Sequence, residues 1–181
     1  MEPWRVLQSR RLVERPWLTL HEQRVRLPTG AEIDAFHLVE APDWVAVLAL
    51  GDGEALLVEQ YRHGVGRASL ELPAGVIDDG ESSLEAATRE LREETGYVAC
   101  RVEPLVVVSP EPARHTTMGH FYLATGCRRV GEQRLDRCEH IAVRPMPVVD
   151  LLAAVDDGRI VHGSHVAAIL LAERRGLLVG R

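Results

Sequence analysis

An α/β domain preceded by a small β appendage is the fold class this sequence predicts, and three observations predict it. Strand-like apolar segments broken by Gly, Pro and Asp turns recur up to Met146. One segment with helical spacing interrupts them, opened by Ser82-Ser83 and closed by Gly96, and two more end the chain. At 181 residues and 46% apolar content, the chain is long enough to bury one sizeable core.

Taken in order, "WLTLHEQRVRL" (Trp17 to Leu27), Pro28-Thr29-Gly30 and "AEIDAFHLVE" form a hairpin. Pro42 marks the boundary between an N-terminal β region, 1–42, and a main domain, 43–181. "WVAVLAL" and "EALLVEQYR", joined at Gly51-Asp52-Gly53, have the apolar and β-branched content of a buried strand pair. Further strands are expected at "RVEPLVVVS", "GHFYLATGC" and "IAVRPM", and helices at "VVDLLAAVDDG" and "SHVAAILLAERRG".

Composition excludes several functions. Net charge is −6, which argues against a nucleic-acid surface, since polyanion binding rests on clustered positive charge. All 21 basic residues are Arg, so Schiff-base chemistry and the lysine of a P-loop are ruled out. Three cysteines without CxxC spacing suggest neither a disulfide framework nor a zinc site. The apolar runs are too short to span a bilayer and "MEPWRVLQSRR" lacks a signal-peptide core, so no membrane partner and a cytoplasmic location are expected.

The chemistry concentrates in "GVIDDGESSLEAATRELREETGY", Gly75 to Tyr97. Ser82 stands three before Glu85 as in a capping box, so a helix should start here and end at Gly96. A helical wheel places Leu84, Ala87, Thr88 and Leu91 on the core-facing stripe, with Glu90 and Glu94, four apart, stacked along its edge. Carboxylates at that spacing repel, and a divalent cation would resolve the repulsion. Arg89 and Glu93, also four apart, are placed to form an ion pair. A solvated charged face is the alternative that such a helix usually satisfies.

Gly75, five residues, Glu81, seven residues, then Arg89-Glu90-Leu91-Arg92-Glu93-Glu94-Thr95-Gly96-Tyr97 resembles the Nudix box at every specified position. From composition, a chance match is on the order of one in 10^5. The resemblance implies the Nudix fold, an α/β/α sandwich around a mixed sheet, and Mg²⁺-dependent hydrolysis of a nucleoside diphosphate linked to another group, with Mn²⁺ or another divalent cation able to substitute. Carried onto this chain, it assigns metal binding to the carbonyl of Ala74 and to Glu90 and Glu94, with Glu93 nearby and counted, like Glu94, among the catalytic carboxylates. Arg89 and Glu81 become orienting groups.

The flanks, "EQYRHG" and "LELPAGVIDDGE", resemble the ADP-ribose pyrophosphatase branch, which implies AMP and ribose 5-phosphate as products. In that branch the residue matching Arg62 contacts phosphate, although a surface ion pair would also explain it. "SPEPARHTT" lies where the branch has a substrate loop but departs from its Ser-Pro-Gly form; Arg114 and His115 are candidates for the second sugar. The branch's N-terminal β region exchanges between subunits of a homodimer and stacks aromatics on adenine, roles that fall to Trp17 and Phe36. A further loop acid, for catalysis or metal binding, falls to Glu139, with Asp136 as the alternative. A GDP-mannose or other nucleotide-sugar hydrolase is the competing enzyme reading, and a non-catalytic ADP-ribose sensor the competing reading of another class.

Overall fold

The computed structural model describes residues 1–178, which divide into two compact units. The first comprises Met1–Asp43 with Ser109–Met118. Its core is an antiparallel sheet in the order β1 (Arg5–Arg15), β2 (Leu18–Arg26), β3 (Glu32–Glu40). β2 and β3 are the expected hairpin, turned through Gly30, whose φ of +87° suits glycine. β1 was not expected: it is Arg-rich, lacks a two-residue apolar rhythm and is exposed along nearly its whole length. Ser109–Met118, which a 43–181 boundary assigns to the main domain, lies in this unit and its backbone pairs with β3. Val39 N–H donates to Arg114 O at 2.8 Å and Thr116 N–H to Val39 O at 3.0 Å.

The second unit comprises Trp44–Val108 and Gly119–Arg181, of which 179–181 lie outside the described residues. Its strands are β4 (Trp44–Gly51), β5 (Glu54–Arg62), β6 (Arg67–Glu71), β7 (Ala74–Val76), β8 (Tyr97–Val98), β9 (Arg101–Val108), β10 (Gly119–Thr125), β11 (Arg128–Arg129) and β12 (Ile141–Pro147). Helix α1 (Ser83–Thr95) falls between β7 and β8, and a 3-10 turn (Val148–Asp150), α2 (Leu151–Asp156) and α3 (Gly163–Arg174) follow β12. Seven strands form a mixed sheet in the order β12-β5-β4-β10-β9, with β6 added to β5 and β7 to β4; only β4 and β10 run parallel. β8 and β11 pair separately.

The continuous apolar run of β4 is explained by burial of both its faces. Ala46, Leu48 and Leu50 pack with Leu151 and Ala154 of α2 and Ala168, Ile169 and Ala172 of α3. The alternate residues Val45, Val47 and Ala49 pack with Ala86, Ala87 and Leu91 of α1. The result is the α/β/α sandwich that the box resemblance implies. Among the described residues no helix is long and apolar enough to cross a membrane.

Helix α1 forms where its caps place it. Ser82 accepts from Glu85 N–H, Glu85 accepts from Ser82 N–H, and Gly96 closes the helix in the left-handed region with its N–H on Arg92 O. The buried stripe differs from the wheel reading. Ala86, Ala87, Glu90, Leu91, Glu94 and Thr95 are buried, whereas Leu84 is 45% exposed and Thr88 points to solvent. The paired alanines allow the helix to approach the sheet closely, which turns Leu84 outward and carries both carboxylates inward from the rim.

Candidate active site

The site is built where β7 passes over α1. A Cβ at Gly75 would lie 2.0 Å from Glu90 Oε1, so glycine lets the strand cross without displacing this carboxylate from its place beside Arg89. One residue earlier, Ala74 N–H donates to Glu94 Oε2 at 2.8 Å. Glu90 and Glu94 are 8% and 2% exposed. Burial pushes the Glu90 carboxyl above the ordinary glutamate range despite the Arg89 guanidinium beside it. Burial raises Glu94 further, to about 8, with Glu90 and Glu139 adding like charge and Ala74 N–H and Arg62 opposing.

Arg89 organises the surrounding carboxylates. Its Nε and Nη2 hold the two oxygens of Glu81 at 2.9 and 2.8 Å, and Nη2 also donates to Val76 O at 3.0 Å. Nη1 reaches Glu90 Oε1 at 2.6 Å and Glu93 Oε2 at 3.2 Å. These bonds hold Glu81 below the usual carboxylate range and raise the guanidinium above its own. Arg89 thereby fixes Glu90, Glu93 and the Val76 backbone together.

Hard carboxylate oxygens, like-charged and withdrawn from water, are the donor set a hard divalent cation requires. Glu90 and Glu94 therefore fit the metal that the box resemblance implies. Among the described residues no three His, Cys, Asp or Glu side chains are gathered at metal-ligand spacing. Glu139 instead closes its own turn, accepting from Asp136 N–H at 2.9 Å while its N–H donates to Asp136 O at 2.9 Å. Asp136 is exposed in the same turn.

A cleft of about 770 Å³ adjoins the box glycine, lined by Trp44, Arg62, Glu71, Ala74, Gly75 and His162 among others. Arg62 holds Glu71 through two parallel bonds, Nε to Oε1 at 2.8 Å and Nη2 to Oε2 at 2.5 Å. The ion pair weighed against the phosphate role is thus present, but its acid is wholly buried, and Arg62 keeps 43% of its side chain exposed. The residues expected on the first unit are separate from one another. Trp17 is 73% exposed in the β1–β2 turn, and Phe36 packs edge-on against Trp4 at 5.7 Å. Phe36 pairs in register with Gln23, so the strand places it well away from Trp17. Arg114 is exposed, and His115 forms the bridge to β3.

Several residues of this region gave no sequence signal. Glu71 was invisible as a partner of Arg62. His162 and His165, three apart at the start of α3, stack at 4.2 Å, and Leu72 N–H donates to His165 Nδ1 at 3.2 Å. Burial lowers the pKa of both rings, that of His165 far below the ordinary value, which keeps them neutral. Their spacing was the one available hint.

Residues 40–179 match the model of the NUDIX domain. The chain belongs to the Nudix hydrolase family. Ahead of the Nudix domain, residues 4–39 match the nucleoside diphosphate sugar hydrolase N-terminal domain. Among curated Nudix relatives, the chain is 32% identical over 154 residues to an ADP-ribose pyrophosphatase of Bacillus subtilis, covering 84% of this chain and 83% of the relative. It is 36% identical over 154 residues to an ADP-ribose pyrophosphatase of Mycobacterium tuberculosis, covering 83% and 74%. It is 28% identical over 175 residues to a GDP-mannose pyrophosphatase of Yersinia pestis, covering 90% and 88%. A solved ADP compounds hydrolase has the same fold, with a TM-score of 0.85 at 21% identity over 98% of both chains.

Proposed function

We propose that this Nudix hydrolase cleaves the pyrophosphate bond of a nucleoside diphosphate sugar, with ADP-ribose and water giving AMP and ribose 5-phosphate. The observation that carries the reading is the buried Glu90–Glu94 pair beneath the Ala74–Gly75 backbone, in which Glu90 shares Arg89 with Glu81 and Glu93 and Glu94 has no ion-pair partner among the described residues. Glu90, Glu94 and the Ala74 carbonyl would hold Mg²⁺, or Mn²⁺ in its place, together with Glu139 once it leaves its turn with Asp136. The bound cation supplies charge neutralisation on the diphosphate and lowers the pKa of water.

The protein groups do the rest. Arg89 keeps Glu90 and Glu93 in place, and Glu93 and Glu94 complete the catalytic carboxylates. Glu139 takes a proton from the attacking water, since a carboxylate on a loop can close to hydrogen-bond reach in the substrate complex. Arg62 contacts phosphate through Nη1, which its bonds to Glu71 leave unused. Trp17 and Phe36, too far apart in one chain to flank a single base, stack on it from different subunits of a homodimer, and Arg114 serves the second sugar. Residues 1–42 mediate a homodimer, for which the exposed apolar side chains Val6, Leu12, Val13, Trp17 and Leu18 are a physical motive. The enzyme works in the cytoplasm.

Similarity to both ADP-ribose and GDP-mannose pyrophosphatases makes substrate profiling the deciding assay. With Mg²⁺ present, release of AMP and ribose 5-phosphate from ADP-ribose should exceed hydrolysis of GDP-mannose. Faster turnover of GDP-mannose would replace the substrate, and activity unchanged by a chelator would overturn the metal reading.

A further inference from the structure

Between β11 and β12 the chain crosses the C-terminal end of α1, and there it takes up the carbonyls of Glu93 and Glu94 in the last turn and of the C-cap Gly96. Val130 N–H and Gly131 N–H donate to Gly96 O at 2.9 and 3.2 Å, and Arg134 N–H donates to Glu93 O at 2.8 Å. Gln133 adds a side-chain bond, its Nε2 donating to Glu94 O at 2.6 Å. The same nitrogen donates to Ile141 O at 3.1 Å, at the first residue of β12. Two carbonyls on one amide nitrogen fix its orientation, since the amide oxygen has no proton to offer either.

Gln133 therefore ties two points eight residues apart, itself and Ile141, and the intervening residues form a loop closed at its neck. That loop contains Glu139, two residues before Ile141, and its neck is fastened to the backbone of Glu94 itself. Closing a short loop by one side chain costs little chain entropy, whereas without it the Arg134 N–H bond to Glu93 O holds one end of the loop to the helix and the Gln133 bond from that end to Ile141 is lost.

We propose that Gln133 is the positioning residue that sets the reach of the Glu139 loop, anchoring it to α1 and β12 so that its carboxylate swings from a fixed neck toward Glu90 and Glu94. The inference rests on the catalytic reading of Glu139 given above. A Met side chain has nearly the volume of Gln and offers no N–H, so Gln133→Met opens the neck on an exposed loop without emptying a core site.

The test compares wild type, Gln133→Met, Glu139→Gln and the double variant in the Mg²⁺-loaded enzyme, together with tryptic cleavage of the metal-free proteins after Arg137, inside the loop. Gln133→Met should lower kcat about tenfold with KM within about twofold, and Glu139→Gln should cost clearly less in its background than in wild type, because coupled residues are non-additive. Trypsin should cut after Arg137 about fivefold faster or more in Gln133→Met, at unchanged melting temperature, as expected of a locally freed segment. Fully multiplicative kcat losses, or normal kcat and cleavage in Gln133→Met, would overturn the inference. A silent Glu139→Gln beside a damaging, cleavage-prone Gln133→Met would leave the neck standing and remove the assignment of Glu139 instead.

Discussion

Glu71 and Glu94 are equally withdrawn from water, at 0% and 2% exposure, yet their surroundings are opposite. Glu71 meets the fork of Arg62 through two parallel bonds. Glu94 has a single backbone N–H from Ala74 and faces the charges of Glu90 and Glu139, and its carboxyl is pushed up to about 8. A buried acid with a matched cation is structurally complete; one left with like charges carries a deficit that folding alone does not remedy. The contrast separates a scaffold carboxylate from a working one without reference to any motif.

The largest expected effect breaks the working side. Glu94→Gln preserves shape and the bond from Ala74 N–H but removes the charge, so kcat should fall roughly 10^3-fold, in the range of lost metal and acid–base function. The metal-free protein should melt no lower than wild type, because the amide fills the buried site without the desolvation cost that raises the carboxyl to about 8. Near-normal Mg²⁺-dependent turnover would show that Glu94 is not a ligand.

Glu71→Gln should do the reverse. Removing one partner of a buried pair leaves the other uncompensated, at a cost of about 3 kcal/mol, the low end of the range because Arg62 is partly exposed. Denaturant unfolding measures it. A stability loss under about 1 kcal/mol would mean that the pair is not a structural counterpart to Glu94.

Glu139 tests whether the deficit at Glu94 is shared with the loop. Glu139→Gln should lower kcat about 10^2-fold while weakening substrate binding little. Asp136→Asn should be near neutral, since Asp136 contributes backbone rather than carboxylate to the turn. The opposite result would exchange the two assignments.

What the sequence made legible follows from the range of each interaction. The caps of α1 are local, three or four residues across, and Ser82, Glu85 and Gly96 stated them outright. The box was legible because its carboxylates lie on one helix beside its own glycine. The Arg62–Glu71 pair depends on how β6 lies against β5, and Gln133 reaches a carbonyl 39 residues back, so neither leaves a pattern in the chain. The buried stripe of α1 failed in a different way. A wheel shows which residues share a face, but Ala86 and Ala87 against β4 decide which face turns inward, and this exposes Leu84. β1 was hidden because an exposed Arg-rich strand has no apolar rhythm to read.

His165 extends the comparison to a third kind of buried titratable group, one that meets no counter-charge and simply remains neutral. It is 1% exposed, and burial together with His162 and Arg62 holds its pKa well below 6.5. The unfolded chain protonates this ring as pH falls below about 6.5 while the folded protein does not. Its contribution to stability is therefore complete above that pH and is lost on acidification, approaching about 1.4 kcal/mol per pH unit. His165→Asn keeps an acceptor for Leu72 N–H but cannot titrate, and it should destabilise the protein at pH 7.5 by the packing it removes from beside Trp44 and Phe121. Glu90 and Glu94 titrate in both proteins and largely cancel, so the difference between them reports the stacked pair of His165 and His162. The stability gap between wild type and variant should narrow from pH 6.5 to 5, measured by denaturant unfolding without metal. A gap constant over that range would mean that His165 is accessible to protons in the folded state, and that its burial does not make it the neutral third case.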